Sequence, residues 1–379
     1  MSLSINSVSQ SPSLAYAYGG PTVKAAIKQQ AEDFYVDEIL GFEPSGTGEH
    51  VFLHIEKRCL TTLAVRDAIA KLAGCKLMDV GYSGLKDKWA VTRQWFSVYL
   101  RVTIEPNWSE LLIDAQSSKA YLRILKIDRH DRKLRRGTHK ENAFKLTLRD
   151  VGNVSNSRDL SMGAEYYFNQ RLTILSEQGF PNYFGRQRFS NQNLAKARQL
   201  FDANKRMPRE QRGLCLSAAR SYLFNLVLSE RVRQDNWTHY LAGDVLMLAG
   251  SRSQFSLHGG DAHWFNNSAT DDVMRLVNLI EERLSEADIH ISGTLCGVGE
   301  SPLSAVALEL ETAVLRSEQA LVDGLCRQGV EQARRPLRAI PKQLKWQFKS
   351  EKLQLSFVLP TGSYATVLMR ELVECQFTG

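Results

Sequence analysis

The chain has 379 residues, of which 43% are hydrophobic and 23% charged. That composition excludes a coiled-coil rod, a collagen-like chain and a disordered chain, and the length predicts two or three domains, or one domain carrying a large insertion. Lys and Arg number 48 against 41 Asp and Glu, a formal charge of +7, which permits a polyanionic partner without requiring one.

In chain order, residues 1–20 read as a flexible, Ser-rich lead-in without the apolar core of a secretory signal. Val23 and Ile27, then Phe34, Val36 and Ile39, predict strands over 22–40. Residues 41–49 (GFEPSGTGE) form a turn-rich loop, and 50–56 (HVFLHIE) a strand. Thr61 and Thr62 offer N-caps for a helix with Val65, Ala68, Ile69 and Leu72 at helical spacing, and Gly74 stands where such a helix ends. Further strands are predicted at 78–82, 95–102, 121–127 and 143–148. After Asp150 the texture changes. Helices are predicted at 160–178, 193–203, 214–233 and 271–286, with a hairpin at 243–255 among them, and a long helical pattern fills 303–328. The tail returns to a strand at 353–359, a PTGS turn and a helix over 364–373. A late strand after a helical block often completes an earlier sheet, which makes the block an insertion. No stretch approaches the ~20 apolar residues of a transmembrane helix.

The six cysteines, Cys59, Cys75, Cys215, Cys296, Cys326 and Cys375, form no C-x-x-C pair. Their spacing therefore argues against a zinc ribbon or a thioredoxin-like motif. A reduced, mostly buried set is expected, which together with the N-terminus gives a cytoplasmic address.

The most informative stretch is GLKDKWAVTRQ at 84–94, between two predicted strands. It holds one carboxylate, Asp87, in a loop on rigid supports, a common place for catalysis. Lys86 and Lys88 on either side favour the ionised form, able to act as base or nucleophile. On spacing alone a charged, solvated surface hairpin is the favoured reading, since such triplets are common. The run 126–140 (KIDRHDRKLRRGTHK) has a net charge of +5 and holds most of the chain's surplus. Counterion release would draw a phosphate backbone to it, and the density of arginine favours that reading over a solvated surface loop. Phe34, Asn142, Phe144, Tyr183, Phe184 and Tyr364 supply aromatics and an amide suited to an unstacked nucleobase, although each alone reads as core or turn. His50 and His54 lie in a strand, where i, i+4 spacing does not pair metal ligands, and are read as structural. SGTGE at 45–49 and GVGE at 297–300 complete no phosphate-binding or dinucleotide motif and are read as turns.

Taken together and in this order, these segments resemble the TruD family of tRNA pseudouridine synthases, over about residues 28–373. AEDFYVDEI at 31–39 is similar to the family's E-D-F-x-V-x-E element, and GLKDKWAVTRQ to its G-x-K-D-x-x-A-x-T-x-Q signature. ENAF at 141–144 resembles its N-x-F element, and PNYFGRQRF at 181–189 the start of its inserted domain. LPTGSYATVLMREL at 359–372 resembles its closing G-S-[FY]-A-T segment.

The resemblance implies an α+β fold: a mixed-sheet pseudouridine synthase core with a helix-rich inserted TRUD domain. The expected divisions are 1–178 for the N-terminal part of the catalytic core, 179–339 for the insertion and 340–379 for the C-terminal part of the core. It also implies isomerisation of a uridine in tRNA, typically position 13 in the D arm, with no cofactor, no metal and no membrane. A monomer is the default, since the sequence says nothing of oligomeric state. Residue by residue, Asp87 is implied as the essential carboxylate and Lys28 as the basic residue beside it. Phe34, Asn142 and Tyr364 are implied to line the uridine pocket, and Phe144 to stack on the base. Tyr364 departs from the Phe that many members carry. Arg132, Arg135 and Arg136 are the residues expected on the RNA backbone. Asp87 could attack C1′, attack C6 or remove the 2′ proton; the first and last leave uracil free to turn. The rival reading is a catalytically silent RNA-binding protein with the same core. A methyltransferase would need a cofactor-binding glycine loop, and none is convincing.

Overall fold

The computed structural model describes residues 13–100, 105–111, 120–153, 163–203, 207–257, 270–349 and 352–377. Residues 1–12 of the expected lead-in, 101–102 of an expected strand and 160–162 of an expected helix lie outside them. In chain order come β1 (Val23–Ile27), β2 (Phe34–Ile39), β3 (His50–Arg58), α1 (Thr62–Leu72), β4 (Val80–Tyr82), β5 (Val91–Tyr99), β6 (Tyr121–His130), β7 (Glu141–Asn153) and α2 (Gly163–Gln178). Then follow β8 (Phe180–Pro181), α3 (Asn193–Ala203), α4 (Arg209–Arg233), β9 (Val245–Leu248), β10 (Gln254–Ser256), α5 (Thr270–Ser285), β11 (Ile289–Leu295), α6 (Ala305–Leu315), α7 (Gln319–Arg327), β12 (Ala333–Pro336) and β13 (Arg338–Ala339). The tail holds β14 (Lys342–Lys349), β15 (Lys352–Pro360), α8 (Ala365–Leu372) and β16 (Glu374–Phe377). The fold is α+β, and the chain divides into two compact units. One holds Pro21–Ser176, Pro341–Ala365 and the residues from Leu372 on; the other holds the described residues up to Gly20, Glu177–Ile340 and Thr366–Glu371.

The first unit is built on a mixed sheet ordered β14-β15-β7-β2-β5-β3-β6, with β1 beside β7 and β16, and β4 on β5. The pairs β2–β5 and β1–β16 are parallel. The tail strand lies where its alternation predicts. Leu353, Leu355, Phe357 and Leu359 are all buried, opposite Leu148, Leu146, Phe144 and Asn142 of β7. Side chains alternate between the faces of a strand, so register fixes which residues share a face. Phe34, Val36 and Glu38 of β2 stand opposite Leu146, Phe144 and Asn142. Val36 also pairs with Thr92 of β5, and Thr92 and Gln94 pair with Lys57 and Ile55 of β3. One face of the sheet thus carries Phe34, Glu38, Lys57, Thr92, Gln94, Asn142 and Phe144. The other carries Tyr35, Asp37, His54 and Arg93.

Helix α1 packs on that first face, its Val65 and Ile69 against Val51, Leu53, Ile55, Phe96 and Val98. It begins where Thr61 accepts a hydrogen bond from the Ala64 N–H at 3.1 Å and ends before Gly74, whose φ of 59° is the left-handed value that glycine adopts without strain. Strand β5 starts at Val91, four residues before the expected start at Trp95. The polar Thr92 and Gln94 disguised it; both are fully buried, and Gln94 accepts from the Thr62 hydroxyl at 2.8 Å. His54 stacks on Trp95 at 4.6 Å and 7°, a structural histidine as expected.

The second unit is helical but also holds a four-stranded sheet, β10-β9-β11-β12, of which the sequence predicts only the β9–β10 hairpin. The helical pattern 303–328 is not continuous: Arg316–Glu318 is a 3-10 turn between α6 and α7. The Glu318 carboxylate there accepts from Arg198 and from the Tyr222 hydroxyl. After the turn α7 buries Leu321, Gly324 and Leu325, with Gly324 against the Phe201 ring. The lead-in is held from its described part on, contrary to the expected flexibility. The Ala15 N–H donates to Ser229 Oγ at 2.9 Å, Tyr18 Oη to the Gly179 carbonyl at 2.7 Å, and Tyr183 Oη to the Ala15 carbonyl at 3.1 Å. All six cysteines are free thiols; Cys59, Cys215 and Cys296 are buried and the other three half-buried, fewer than the mostly buried set expected.

Candidate active site

The loop 83–90 joins β4 to β5 on the face that carries Glu38, Lys57 and Asn142. It is fastened along its length. The Lys86 N–H donates to Thr62 Oγ1 at 3.0 Å and the Gln94 amide to the Gly84 carbonyl at 3.2 Å. Ser83 and Ala90 at its ends are buried. Gln94 of β5 and Thr62 at the start of α1 therefore serve the loop.

Asp87 meets Lys28, which follows β1. The ammonium lies 2.6 Å from Asp87 Oδ2, with the side chains 13% and 24% exposed respectively. Lys28 has φ of 61°, a conformation that L side chains adopt at a cost of about 1–3 kcal/mol and that clusters at functional sites. Its carbonyl accepts from the Trp89 indole N–H at 2.9 Å, so the loop bearing the carboxylate also braces the backbone of its partner. Lys28 Nζ stands 4.0 Å from the centre of the Phe34 ring. Lys86, the sequence neighbour expected to support Asp87, points elsewhere: its Nζ is 2.8 Å from Glu38 Oε2 and 2.7 Å from Asn142 Oδ1.

A third lysine was not anticipated. Lys57 is fully buried, and its Nζ donates to the backbone carbonyls of Leu60 at 2.6 Å and Asp87 at 3.1 Å. Burial pushes its pKa down to about 8, Asp87 opposing the shift and Lys86 adding to it. The signal for it lay in strand parity: Val51, Leu53 and Ile55 point into the core, and Lys57 occupies the next inward position.

Asn142 is held at both ends of its amide. Its oxygen accepts from Lys86, which identifies the nitrogen, and that nitrogen lies 3.1 Å from His139 Nε2. An amide nitrogen only donates, so Nε2 accepts and the imidazole proton sits on Nδ1, 2.5 Å from Ser83 Oγ. Ser83 Oγ accepts from the His139 backbone N–H at 2.7 Å as well. Burial, with the Lys86 charge behind it, pushes the His139 pKa down to about 4, which keeps this ring neutral at physiological pH. Glu38, fully buried on its side chain, completes the network by accepting the Trp95 backbone N–H at 3.2 Å.

Two rings flank the polar groups. Phe34 and Phe144 meet edge to face at 6.3 Å, and Phe144 stacks on Phe357 at 5.3 Å. The structure thus brings Lys28, Asp87, Phe34 and Phe144 into one chain of contacts and joins Asn142 to it through Lys86 of the same loop. Tyr364, half-buried, follows the turn after β15. That turn is docked on the segment before Asn142: the Thr361 N–H donates to the Lys140 carbonyl at 3.0 Å and its hydroxyl to the His139 carbonyl at 2.6 Å.

The basic run is partly strand and partly loop, since β6 extends to His130. Some of its charge is spent internally: Arg129 pairs with Glu105, and Lys126 with Asp128 at 2.9 Å. Arg132 is 85% exposed on its side chain and Arg135 is exposed. Arg136 lies over the Tyr82 ring at 4.1 Å. Gly137 N–H donates to the Ser83 carbonyl at 2.8 Å, so the arginine loop and the Asp87 loop are tied at Ser83.

A family model described as tRNA pseudouridine synthase D (TruD) matches residues 13–197 and 191–372. The chain is 42% identical to the tRNA pseudouridine synthase D of Methylococcus capsulatus over 365 residues, 95% of this chain and 94% of that protein. It is 40% identical to the tRNA pseudouridine synthase D of Pseudomonas syringae pv. tomato over 363 residues, 94% of each. The crystal structure of the TruD protein from Methanosarcina mazei is similar at a TM-score of 0.65 and 20% identity, covering 95% of both chains, a likeness of fold. The match spans both parts of the split sheet and the helical segment between them, and the chain belongs to the TruD family, tRNA pseudouridine synthase D.

Proposed function

We propose that this protein isomerises a uridine of tRNA to pseudouridine, at position 13 in the D arm, with Asp87 as the essential carboxylate. The observation that carries the reading is the Lys28–Asp87 ion pair at 2.6 Å, set beside the Phe34 and Phe144 rings and an amide fixed at both ends. The reaction breaks C1′–N1, turns the uracil and bonds C5 to C1′, while a proton leaves C5 and one is gained at N1. It neither oxidises nor reduces and needs no atom from outside, so a carboxylate and a closed, partly apolar pocket suffice.

In this reading Asp87 performs the first chemical step, with Lys28 as its counter-charge. Phe144 stacks on the base, Phe34 walls the pocket beside it, and the Tyr364 ring closes the far side. Asn142 has one N–H and one oxygen lone pair left after its bonds to His139 and Lys86. That pair matches a uracil carbonyl beside N3–H. Arg132, Arg135 and Arg136 take RNA phosphates. The segments 1–178 and 340–379 are read as the catalytic core and 179–339 as its inserted domain, although the described residues up to Gly20 and Thr366–Glu371 group with the latter. The protein is read as a monomer that meets its tRNA in the cytoplasm.

Tritium release from tRNA labelled at uridine C5 tests the reading, with the product position mapped. Wild type is expected to release tritium and to modify position 13, and Asp87→Asn to bind tRNA but release none. Binding without release in the wild type would instead support the silent RNA-binding protein.

A further inference from the structure

The Asp87 loop has an inward side and an outward side. Lys86 turns in to Glu38 and Asn142, and Ser83 and Ala90 are buried. Outward stand two large apolar side chains, Leu85 at 62% and Trp89 at 41% exposure, two residues to either side of Asp87. Exposed apolar groups in so charged a loop are not needed to fold it, and neither belongs to a core cluster of the sheet.

Trp89 is also immobilised. Its one polar atom donates to the Lys28 carbonyl at 2.9 Å, and Lys28 is the residue whose ammonium holds Asp87. Among the described residues the indole ring has no aromatic or cation–π neighbour. A large π-face is therefore tethered, partly solvent-facing and two residues along the loop from Asp87. An aromatic so held loses little rotamer freedom when it is covered.

We propose that the exposed face of Trp89 is a stacking platform for a nucleotide adjacent to the target uridine. The inference rests on the pocket reading above. Extruding a base into a pocket removes a stacking partner from its neighbours, and an aromatic plane at the pocket replaces it. Such stacking tolerates any base, because each has a π-face. The family signature leaves this position open, between the Asp and the Ala of G-x-K-D-x-x-A, so the platform is a property of this chain's own tryptophan.

The test is a binding cycle with the full-length protein and three tRNA transcripts: intact, abasic on the 5′ side of the target uridine, and abasic on its 3′ side. Trp89→Ala is expected to weaken binding of the intact transcript by roughly 5- to 150-fold. That loss should vanish for one of the abasic transcripts and persist for the other. Trp89→Phe, which keeps a ring but not the N–H bond to Lys28, should recover most of the affinity. The proposal is overturned if Trp89→Ala binds intact tRNA as wild type does, or weakens all three transcripts equally, since the indole is then only a brace for Lys28. Tritium release by the wild type on intact tRNA judges the pocket separately: turnover without coupling in the cycle sinks the platform alone, and a wild type without turnover sinks the pocket reading.

Discussion

Lys57 donates from full burial to the backbone carbonyl of Asp87, at 3.1 Å. A buried ammonium is thereby spent on the path of a loop and not on a carboxylate of its own. The arrangement is costly, as the pKa of about 8 records, and it separates what Lys57 does for the loop from what it does for the fold.

The sign of its effect on stability follows from linkage. The folded pKa of about 8 lies below the unfolded value of about 10.4. Between those pH values the unfolded chain binds more protons, so this group raises stability as pH rises. Urea unfolding of wild type and Lys57→Met at pH 7 and pH 10.5 isolates the slope. The variant should lack a rise of up to about 3 kcal/mol that the wild type gains. At pH 7 its turnover should nonetheless fall, by about 100-fold if the Asp87 loop shifts by 1 Å. Equal turnover in the two proteins would show that the loop holds its course without Lys57.

Lys28→Met tests the other ammonium. Methionine keeps the length of the stem, and the carbonyl of residue 28 remains available to Trp89. The expected result is a fall in kcat of roughly 100- to 1000-fold, the usual size for loss of one preorganised charge interaction. The KM for tRNA should change little, because Lys28 is only 13% exposed and spent on Asp87. A rise in KM with kcat unchanged would reassign Lys28 to RNA binding.

Salt dependence reads the arginine loop. Arg132 and Arg135 are exposed, whereas Arg136 also covers the Tyr82 ring and its removal disturbs packing. The double variant Arg132→Ala, Arg135→Ala is therefore the cleaner probe. Its plot of log affinity against log salt should flatten by about two units, nearly one for each phosphate no longer neutralised, and the triple variant with Arg136→Ala by about three. Parallel lines for wild type and double variant would leave the loop as a solvated surface.

The motif segments were legible because each binds residue types to fixed spacing, and the face of the sheet followed from alternation. Phe34, Asn142 and Phe144 fall on one face by parity alone once β2 and β7 are paired. What stayed hidden was polar structure in apolar positions. Thr92 and Gln94 made the start of β5 look like loop, yet both are buried; Thr62 and Gly84 satisfy the Gln94 amide. The sequence does not single out Lys57 or Glu38, because their partners Leu60, Asp87 and Lys86 come from other elements. His139 sat inside a basic run that drew attention to its charge, although its task is neutral. Tertiary partners decide such residues, and one sequence does not display them. Strand β14, KQLKWQFK, was missed although Leu344, Trp346 and Phe348 alternate with Lys and Gln; that apolar face is only half-buried.

The C-terminal strand supplies the last test. β15 is paired on both sides, with β7 and β14, and buries Leu353, Leu355, Phe357 and Leu359. Ending the chain after Lys352 removes four core side chains, worth about 1.5–3 kcal/mol each, and strips β7 of its partner over Asn142 to Leu148. It also deletes Thr361, whose bonds to residues 139 and 140 hold the segment that carries His139. The truncated protein should therefore lose activity together with cooperative unfolding of the 22–150 region, seen as lost amide protection in β2 and β7 by hydrogen exchange. Point variants separate the ring from the strand. Tyr364→Ala should lower turnover at least tenfold with the melting temperature little changed, whereas Tyr364→Phe should stay within about threefold of wild type, as each 1.4 kcal/mol of transition-state stabilisation removed is tenfold and the phenylalanine keeps the ring. If Tyr364→Phe proved as slow as Tyr364→Ala, the hydroxyl and not the ring would be the working group, and Tyr364 would act through a hydrogen bond.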